Sequence, residues 1–350
     1  MERSRASYRV PKEHGPKIVV IGGGHGLSTM LRGLKRYTEN LSAVVTVADD
    51  GGGSGMLRQD LGMPPPGDIR NCIEALANTE PLMSELLHYR FQEGSLAGQS
   101  FGNLFLAAMN GISPSFDVAV SRMSEVLAVT GRVLPVTTAD VQLEAQFENG
   151  ASVVGESKIF YCKKQEDCRI AQVRLIPEHP KALPAATTAI READMIILGP
   201  GSLYTSVIPN LLVGNVASAV QRSSAFKVYV QNIMTQDGET ENFTASQHIA
   251  EINRYGHGHL VDVCLYNTAN IGRNLLSAYE RENSTLVEID KKVIEDMGVR
   301  LFGAEVLARD SMLIRHDPLR LAYNIMLMAN IMVPRKGLLQ RYDEMLLGRE

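Results

Sequence analysis

Apolar and polar residues alternate along this chain in two rhythms. Lys17-Ile18-Val19-Val20-Ile21 is a short continuous apolar run rich in β-branched residues, which reads as a strand buried on both faces. It ends in Gly22-Gly23-Gly24-His25-Gly26, after which Leu27, Met30, Leu31 and Leu34 recur at helical spacing. The run Leu41 to Ala48 predicts the next strand, so the chain opens with a βαβ unit and hence a parallel sheet covered by helices.

The same order of apolar run, glycine or polar loop and helix returns at Met195–Leu198, Phe226–Val230 and Leu260–Leu265. At least five such strands predict an α/β fold: a Rossmann-like, doubly wound, mainly parallel sheet with helices on both faces. Residues 80–130 read as mainly helical. Between 132 and 177 the rhythm changes, because Val141 to Phe147 alternates strictly, Glu148-Asn149-Gly150 is a turn, and Ser152-Val153-Val154-Gly155 resumes. That predicts a small antiparallel β-hairpin insertion or sheet extension. The expected organisation is a flexible N-terminal tail at 1–15, one Rossmann-like domain at 16–335 carrying the insertion, and a C-terminal tail at 336–350.

Composition narrows the class. The chain has 350 residues, 45% of them apolar, enough for a large core. A formal net charge of −4 argues against a nucleic-acid partner, which needs a basic field. The N-terminus, MERSRASYRVPKEHG, lacks the apolar stretch of a signal peptide. The apolar segment Asn324–Val333 is about half the length of a spanning helix and contains two asparagines, so a buried helix is expected rather than membrane insertion. Cys72, Cys162, Cys168 and Cys264 fit neither a zinc ribbon nor a redox pair, and are expected to be buried reduced thiols in a cytoplasmic protein.

Three glycine-rich stretches fall at carboxyl ends of predicted strands, where open α/β sheets bind ligands. They are Gly22-Gly23-Gly24-His25-Gly26, the run Gly51-Gly52-Gly53-Ser54-Gly55, and Gly199-Pro200-Gly201-Ser202-Leu203-Tyr204-Thr205. Glycine lets a phosphate approach the backbone, and helix N-termini attract anions. The first stretch matches Gly-x-Gly-x-x-Gly in neither register, and no P-loop signature is present, which disfavours a standard nicotinamide site or P-loop ATPase. Ser202, Tyr204 and Thr205 add hydroxyl donors suited to a diphosphate or a sugar.

Adjacent carboxylates at Asp49 and Asp50, with Asp68 downstream, suggest magnesium, which takes one or two carboxylates plus phosphate oxygens. Asp68 is equally placed to cap the helix that follows Pro64-Pro65-Pro66-Gly67. Arg70 and Asn71, in that helix's first turn, could face either way. Asn103, after Ser100-Phe101-Gly102, opens another helix where a ligand can come close. His25 could touch a phosphate from within the first loop, whereas His257 and His259 lack metal-ligand spacing. No Gly-x-Ser-x-Gly nucleophile appears.

The stretches "VIGGGHGLSTMLRGLK", "VTVADDGGGSGMLRQDLGMPPPGDIRNCIEAL", "SFGNLFLAAM", "LGPGSLYTSVIPNLLV" and "NIMTQDGETENFTASQHI" together resemble the bacterial gluconeogenesis-factor family, which is related to the 2-phospho-L-lactate transferases. The resemblance runs from about residue 16 to 335. It implies a cytoplasmic, Rossmann-like factor that binds UDP-sugars and is needed for growth and cell shape on gluconeogenic carbon. It also implies that Asp49, Asp50 and Asp68 form the magnesium and nucleotide-diphosphate end of the site, and that Tyr279 and Arg315 contact the nucleotide sugar. Relatives can carry a phosphorylated hydroxyl residue where this chain reads Asp317-Pro318, so that form of regulation is not expected here. The alternative is a magnesium-dependent phosphotransferase acting on an activated, phospholactate-like donor. A transferase of that type binds a large flavin-like acceptor, and the absence of tryptophan with only 6% aromatic residues leans toward the binding factor. The sequence leaves room for a homo-oligomer and for an unidentified cell-wall or metabolic protein partner.

Overall fold

The computed structural model describes residues 12, 15–166, 168–309 and 312–332. Nearly all of the expected tails at 1–15 and 336–350 therefore lies outside the described residues. Ten strands are β1 (Ile18–Gly22), β2 (Leu41–Val45), β3 (Arg132–Pro135), β4 (Gln142–Phe147), β5 (Ser152–Val154), β6 (Ile170–Ile176), β7 (Met195–Leu198), β8 (Phe226–Val230), β9 (Val263–Asn267) and β10 (Arg300–Ala304). The first helices are α1 (Gly24–Leu34), α2 (Gly52–Leu61), α3 (Gly67–Leu76), α4 (Pro81–His88), α5 (Phe101–Gly111), α6 (Phe116–Val126) and α7 (Glu156–Glu166). They are followed by α8 (Pro184–Glu192), α9 (Ile208–Leu211), α10 (Val216–Arg222), α11 (Ala245–Tyr255), α12 (Arg273–Glu280), α13 (Lys291–Asp296) and α14 (Pro318–Met332).

Seven strands form one parallel sheet in the order β10-β9-β8-β7-β1-β2-β3. β1 is central and wholly buried, as its continuous apolar run requires, with Ile18 opposite Leu41 of β2 on one side and Met195 of β7 on the other. The chain winds outward from β1 in both directions, so the order reverses between β1 and β7. The carboxyl ends of these two strands mark the topological switch point of the sheet, where open α/β sheets bind ligands.

α1 buries Leu27, Met30, Leu31 and Leu34, the positions its helical spacing marked. α14 covers it and buries Leu321, Ile325, Met328 and Ala329, so the late apolar segment is a core helix as expected. Among the described residues no single helix is long and apolar enough to cross a membrane.

Several details differ from the sequence reading. Arg132–Pro135 belongs to the main sheet as its edge strand, with Ser42 opposite Arg132, rather than to the insertion. The insertion is a separate three-stranded antiparallel sheet, β5-β4-β6, with α7 between β5 and β6. β2 stops at Val45, although Thr46 still donates to the Gly22 carbonyl, and β9 starts at Val263 after buried Leu260 and Val261. Gly24 and Gly52 begin helices, so two of the expected loops are helix first turns. All four cysteines are free thiols, Cys72 and Cys264 buried and Cys162 and Cys168 only half-buried.

Gly33 shows how tightly α14 lies on α1, because a Cβ there would fall 1.9 Å from the Pro318 carbonyl oxygen. Alanine normally stabilises a helix interior by roughly 1 kcal/mol over glycine. Gly33→Ala is expected to do the opposite, lowering stability by about 2 kcal/mol through overpacking. Gly111→Ala, at a helix end where nothing stands within 4 Å, serves as the control and should not destabilise in the same denaturant titration.

Candidate functional site

At the switch point the turn after β1 and the turn after β7 meet backbone to backbone. A Cβ on Gly26 would lie 2.5 Å from the Pro200 carbonyl oxygen, so the approach requires glycine. Asn232, two residues past β8, holds the second turn from both sides: its Nδ2 donates to the Gly201 carbonyl at 2.8 Å and its Oδ1 accepts from the Gly201 N–H at 3.1 Å. Ser202 Oγ donates to Gln236 Oε1 at 2.7 Å. Neither N-cap residue, Gly23 nor Gly51, has a side chain to cap its helix, and the first residues of α1 and α2 line a cavity of about 680 Å³. Apart from the Gly24 N–H, which Asp68 takes up, the amides of these first turns and two helix dipoles favour an anion in that space.

One wall of this cavity is acidic. Asp49 accepts from the Gly51 N–H at 2.9 Å, and burial raises its pKa. Asp68 lies in the first turn of α3, past the Pro66 cap position, so it is not the cap that the sequence allowed. Burial and then the neighbouring Asp49 push it up to about 7, against a stabilising hydrogen bond from the Gly24 N–H. Glycines make room for both carboxyls: a Cβ on Gly23 would be 2.5 Å from Asp68 Oδ2, and one on Gly67 would be 2.9 Å from Asp49 Oδ2. Glu156, the first residue of α7, is pushed up to about 7 by burial and by Asp49, Asp50 and Asp68, with a hydrogen bond from Thr205 acting the other way. Behind Thr205, burial pushes Glu239 up to about 8.

The other wall is basic. Arg70 donates through Nε to Asn103 Oδ1 at 3.1 Å and through one terminal nitrogen to Glu74 Oε1 at 2.7 Å, which aims the rest of its guanidinium. Asn103 itself is set by Ser100, the cap of α5. His25 is depressed first by burial and then by Arg315 and Arg70, so it is neutral at pH 7. At the far end the Tyr279 hydroxyl oxygen accepts from the Ile314 N–H at 3.0 Å, which ties α12 to the segment carrying Arg315. Around this pair Ile233, Ile271, Leu307 and Ile314 form a small separate apolar cluster.

Most sequence candidates converge here. Gly24, His25, Gly26, Asp49, Gly51, Gly52 and Ser54 line the cavity, as do Asp68, Asn103, Gly201, Ser202, Thr205, Tyr279 and Arg315. Gly22, Gly23 and Gly199 lie behind that surface as backbone support. Asp50 does not line the cavity: its Oδ1 accepts from the Ser157 N–H at 2.7 Å, so its carboxylate caps α7. Tyr204 is buried at 2% exposure with its ring edge-on to Phe243, away from the cavity.

Arg90, Glu156, Asn232 and Gln236 line the cavity without having been singled out. Asn232 and Gln236 fall in a stretch that carried the family resemblance, whereas Glu156 and Arg90 had no local signal. Among the described residues no three His, Cys, Asp or Glu side chains converge to hold a metal by themselves. A magnesium shared with phosphates needs only one or two carboxylates, and of the three aspartates expected to hold it Asp49 and Asp68 face the cavity.

The raised carboxyls make stability fall as pH rises. Asp68 and Glu156 near 7 and Glu239 near 8 keep protons in the native state that the unfolded chain releases near pH 4, so unfolding gains in favour until these groups ionise. His25, His248 and His316, all depressed by burial, oppose this only below their unfolded value of 6.5. Between pH 6.5 and 8.5 the ligand-free melting temperature is therefore expected to drop, and Asp68→Asn should flatten the slope and melt higher at pH 8.5. Calorimetry on both proteins across that range checks this.

The family model described as 2-phospho-L-lactate transferase CofD matches residues 18–307. A protein of Thermoanaerobacterium thermosulfurigenes is 54% identical over 313 residues, covering 89% of this chain and 97% of the relative. The gluconeogenesis factor of Bacillus subtilis is 45% identical over 308 residues, covering 88% and 96%. The crystal structure of a Bacillus halodurans protein superimposes with a TM-score of 0.86 at 41% identity, covering 89% of this chain and 99% of that one. The chain therefore belongs to the bacterial gluconeogenesis-factor family, related to the 2-phospho-L-lactate transferases.

Proposed function

We propose that this protein is a cytoplasmic nucleotide-sugar binding factor that takes a UDP-sugar into the switch-point cavity and links its occupancy to growth and cell shape under gluconeogenic conditions. The observation that carries the reading is the polarity of the cavity. Tyr279 packs on apolar side chains close to Arg315, the first turns of α1 and α2 bring amides to the same space, and Asp49, Asp68 and Glu156 stand together in it. A base, a diphosphate and a sugar call for these three kinds of partner. Tyr279 would stack on the base, Arg315 and the amides of His25 and Gly26 would hold phosphate, and the His25 ring, neutral, would donate or accept one hydrogen bond.

Asp49 and Asp68 also support the second reading, a magnesium-dependent phosphotransferase of the 2-phospho-L-lactate transferase type. Phosphoryl transfer is mostly positioning and charge stabilisation, so it needs no nucleophilic side chain from the protein. When bound, magnesium would supply charge neutralisation between the two carboxylates and the diphosphate.

Isothermal titration with UDP-sugars and with GDP, with and without magnesium, separates the two. A UDP-sugar that binds and is recovered intact after hours supports the factor. GDP binding that depends on magnesium and is lost in Asp49→Asn supports the transferase. Under the first reading Arg315→Ala and Tyr279→Ala are each expected to weaken UDP-sugar binding at least about tenfold, or 1.4 kcal/mol. At about 100 times its dissociation constant the ligand should stabilise the wild type by roughly 2.7 kcal/mol in thermal unfolding.

A further inference from the structure

The small antiparallel sheet sends a single residue into the cavity. Among the described residues that line it, Glu156 alone comes from the β4-β5-α7-β6 unit. Three contacts fix its place. Asp50 caps the α7 N-terminus through the Ser157 N–H, so the helix start is pinned to the loop after β2. Thr205, in the turn that follows Gly201 and Ser202, stands beside the Glu156 carboxyl and also beside Glu239. A salt bridge of 3.2 Å between Lys163 and Glu241 anchors the same helix further along.

We infer that Glu156 is a specificity-determining residue, accepting hydrogen bonds from the hydroxyls of a neutral sugar on the bound nucleotide and excluding sugars that carry a carboxylate. This rests on the nucleotide-sugar reading above. Tyr279 packs on the apolar cluster, whereas Glu156 stands among Asp49, Asp68 and Thr205, so with the base on Tyr279 the group beyond the second phosphate is directed toward Glu156 and Asp49. The charges around Glu156 are those of Asp49, Asp50 and Asp68, all of one sign. No salt bridge neutralises Glu156 among the described residues. A hydroxyl is a donor to such a group, whereas a second carboxylate meets like charges in a partly desolvated space, where repulsion is strong. Deletion of a buried acceptor that a hydroxyl should meet also leaves that hydroxyl unpaired.

The test is a titration of wild type, Glu156→Gln, Glu156→Ala and Thr205→Val with UDP, UDP-glucose and UDP-glucuronate at pH 8, under identical salt. The wild type is expected to prefer UDP-glucose over UDP-glucuronate by at least about tenfold, the discrimination an unpaired charge can impose. Glu156→Gln should shrink that ratio most, because it removes the charge and keeps the shape. Glu156→Ala should also erase the advantage of UDP-glucose over UDP, while Thr205→Val, which removes the hydroxyl beside Glu156, should give a smaller change in the same direction. A wild type that binds both sugars equally, or ratios that stay constant across all three variants, overturns the assignment of Glu156 while leaving nucleotide-sugar binding intact. A wild type that binds none of the three nucleotides overturns the functional reading itself and this assignment with it. UDP binding retained by each variant shows that its fold survives.

Discussion

The close backbone contact between the turns after β1 and β7 is the constraint on which the rest of the site depends. Gly26 packs on the Pro200 carbonyl, and Asn232 grips the Gly201 peptide at both its N–H and its C=O. Because both turns leave neighbouring central strands, their positions are inherited from the most rigid part of the sheet. That places the amides of α1 opposite the hydroxyls of Ser202 and Thr205 without any long side chain to order, which keeps the entropic cost of binding low.

Around that contact the cavity accepts an electrostatic penalty. Asp49, Asp68 and Glu156 are crowded and desolvated, and burial leads the forces that raise each of them. Such groups favour whatever satisfies them, whether a proton, a cation or hydroxyl donors from a ligand. Arg70, Arg315 and Arg90 line the same space, and no direct salt bridge joins any of them to these acids among the described residues. Both signs of charge therefore remain available to whatever enters the cavity.

The small sheet is joined to this centre at several points. Asp50 caps α7, Lys163 pairs with Glu241, and the Tyr255 hydroxyl accepts from the Val173 N–H at 2.7 Å. Its contacts reach the loop after β2, the segment after β8 and α11. The position of α7, and with it that of Glu156, is thus set by three other segments.

The main sheet was legible in the sequence because its strands are buried on both faces, and continuous apolar runs such as Ile18–Ile21 and Met195–Leu198 have few other homes. The glycine stretches located the cavity for a similarly local reason: a backbone that must be approached closely needs glycine wherever it folds. What the residues alone could not decide was direction. Asp49 and Asp50 are adjacent, yet neighbouring side chains in an extended segment leave on opposite sides, so one faces the cavity and the other caps a helix more than a hundred residues away in sequence. Tyr204 and Thr205 divide in the same way, the ring into the core and the hydroxyl toward Glu156. Arg132–Pro135 joined the main sheet because β2 offered it a free edge, and Glu156 and Arg90 entered the site only through the packing of distant segments. The chain's own chemistry determined that there would be a glycine-lined crevice at the centre of a parallel sheet, and the tertiary structure alone decided which carboxylates face it, because that choice depends on contacts between residues far apart in sequence.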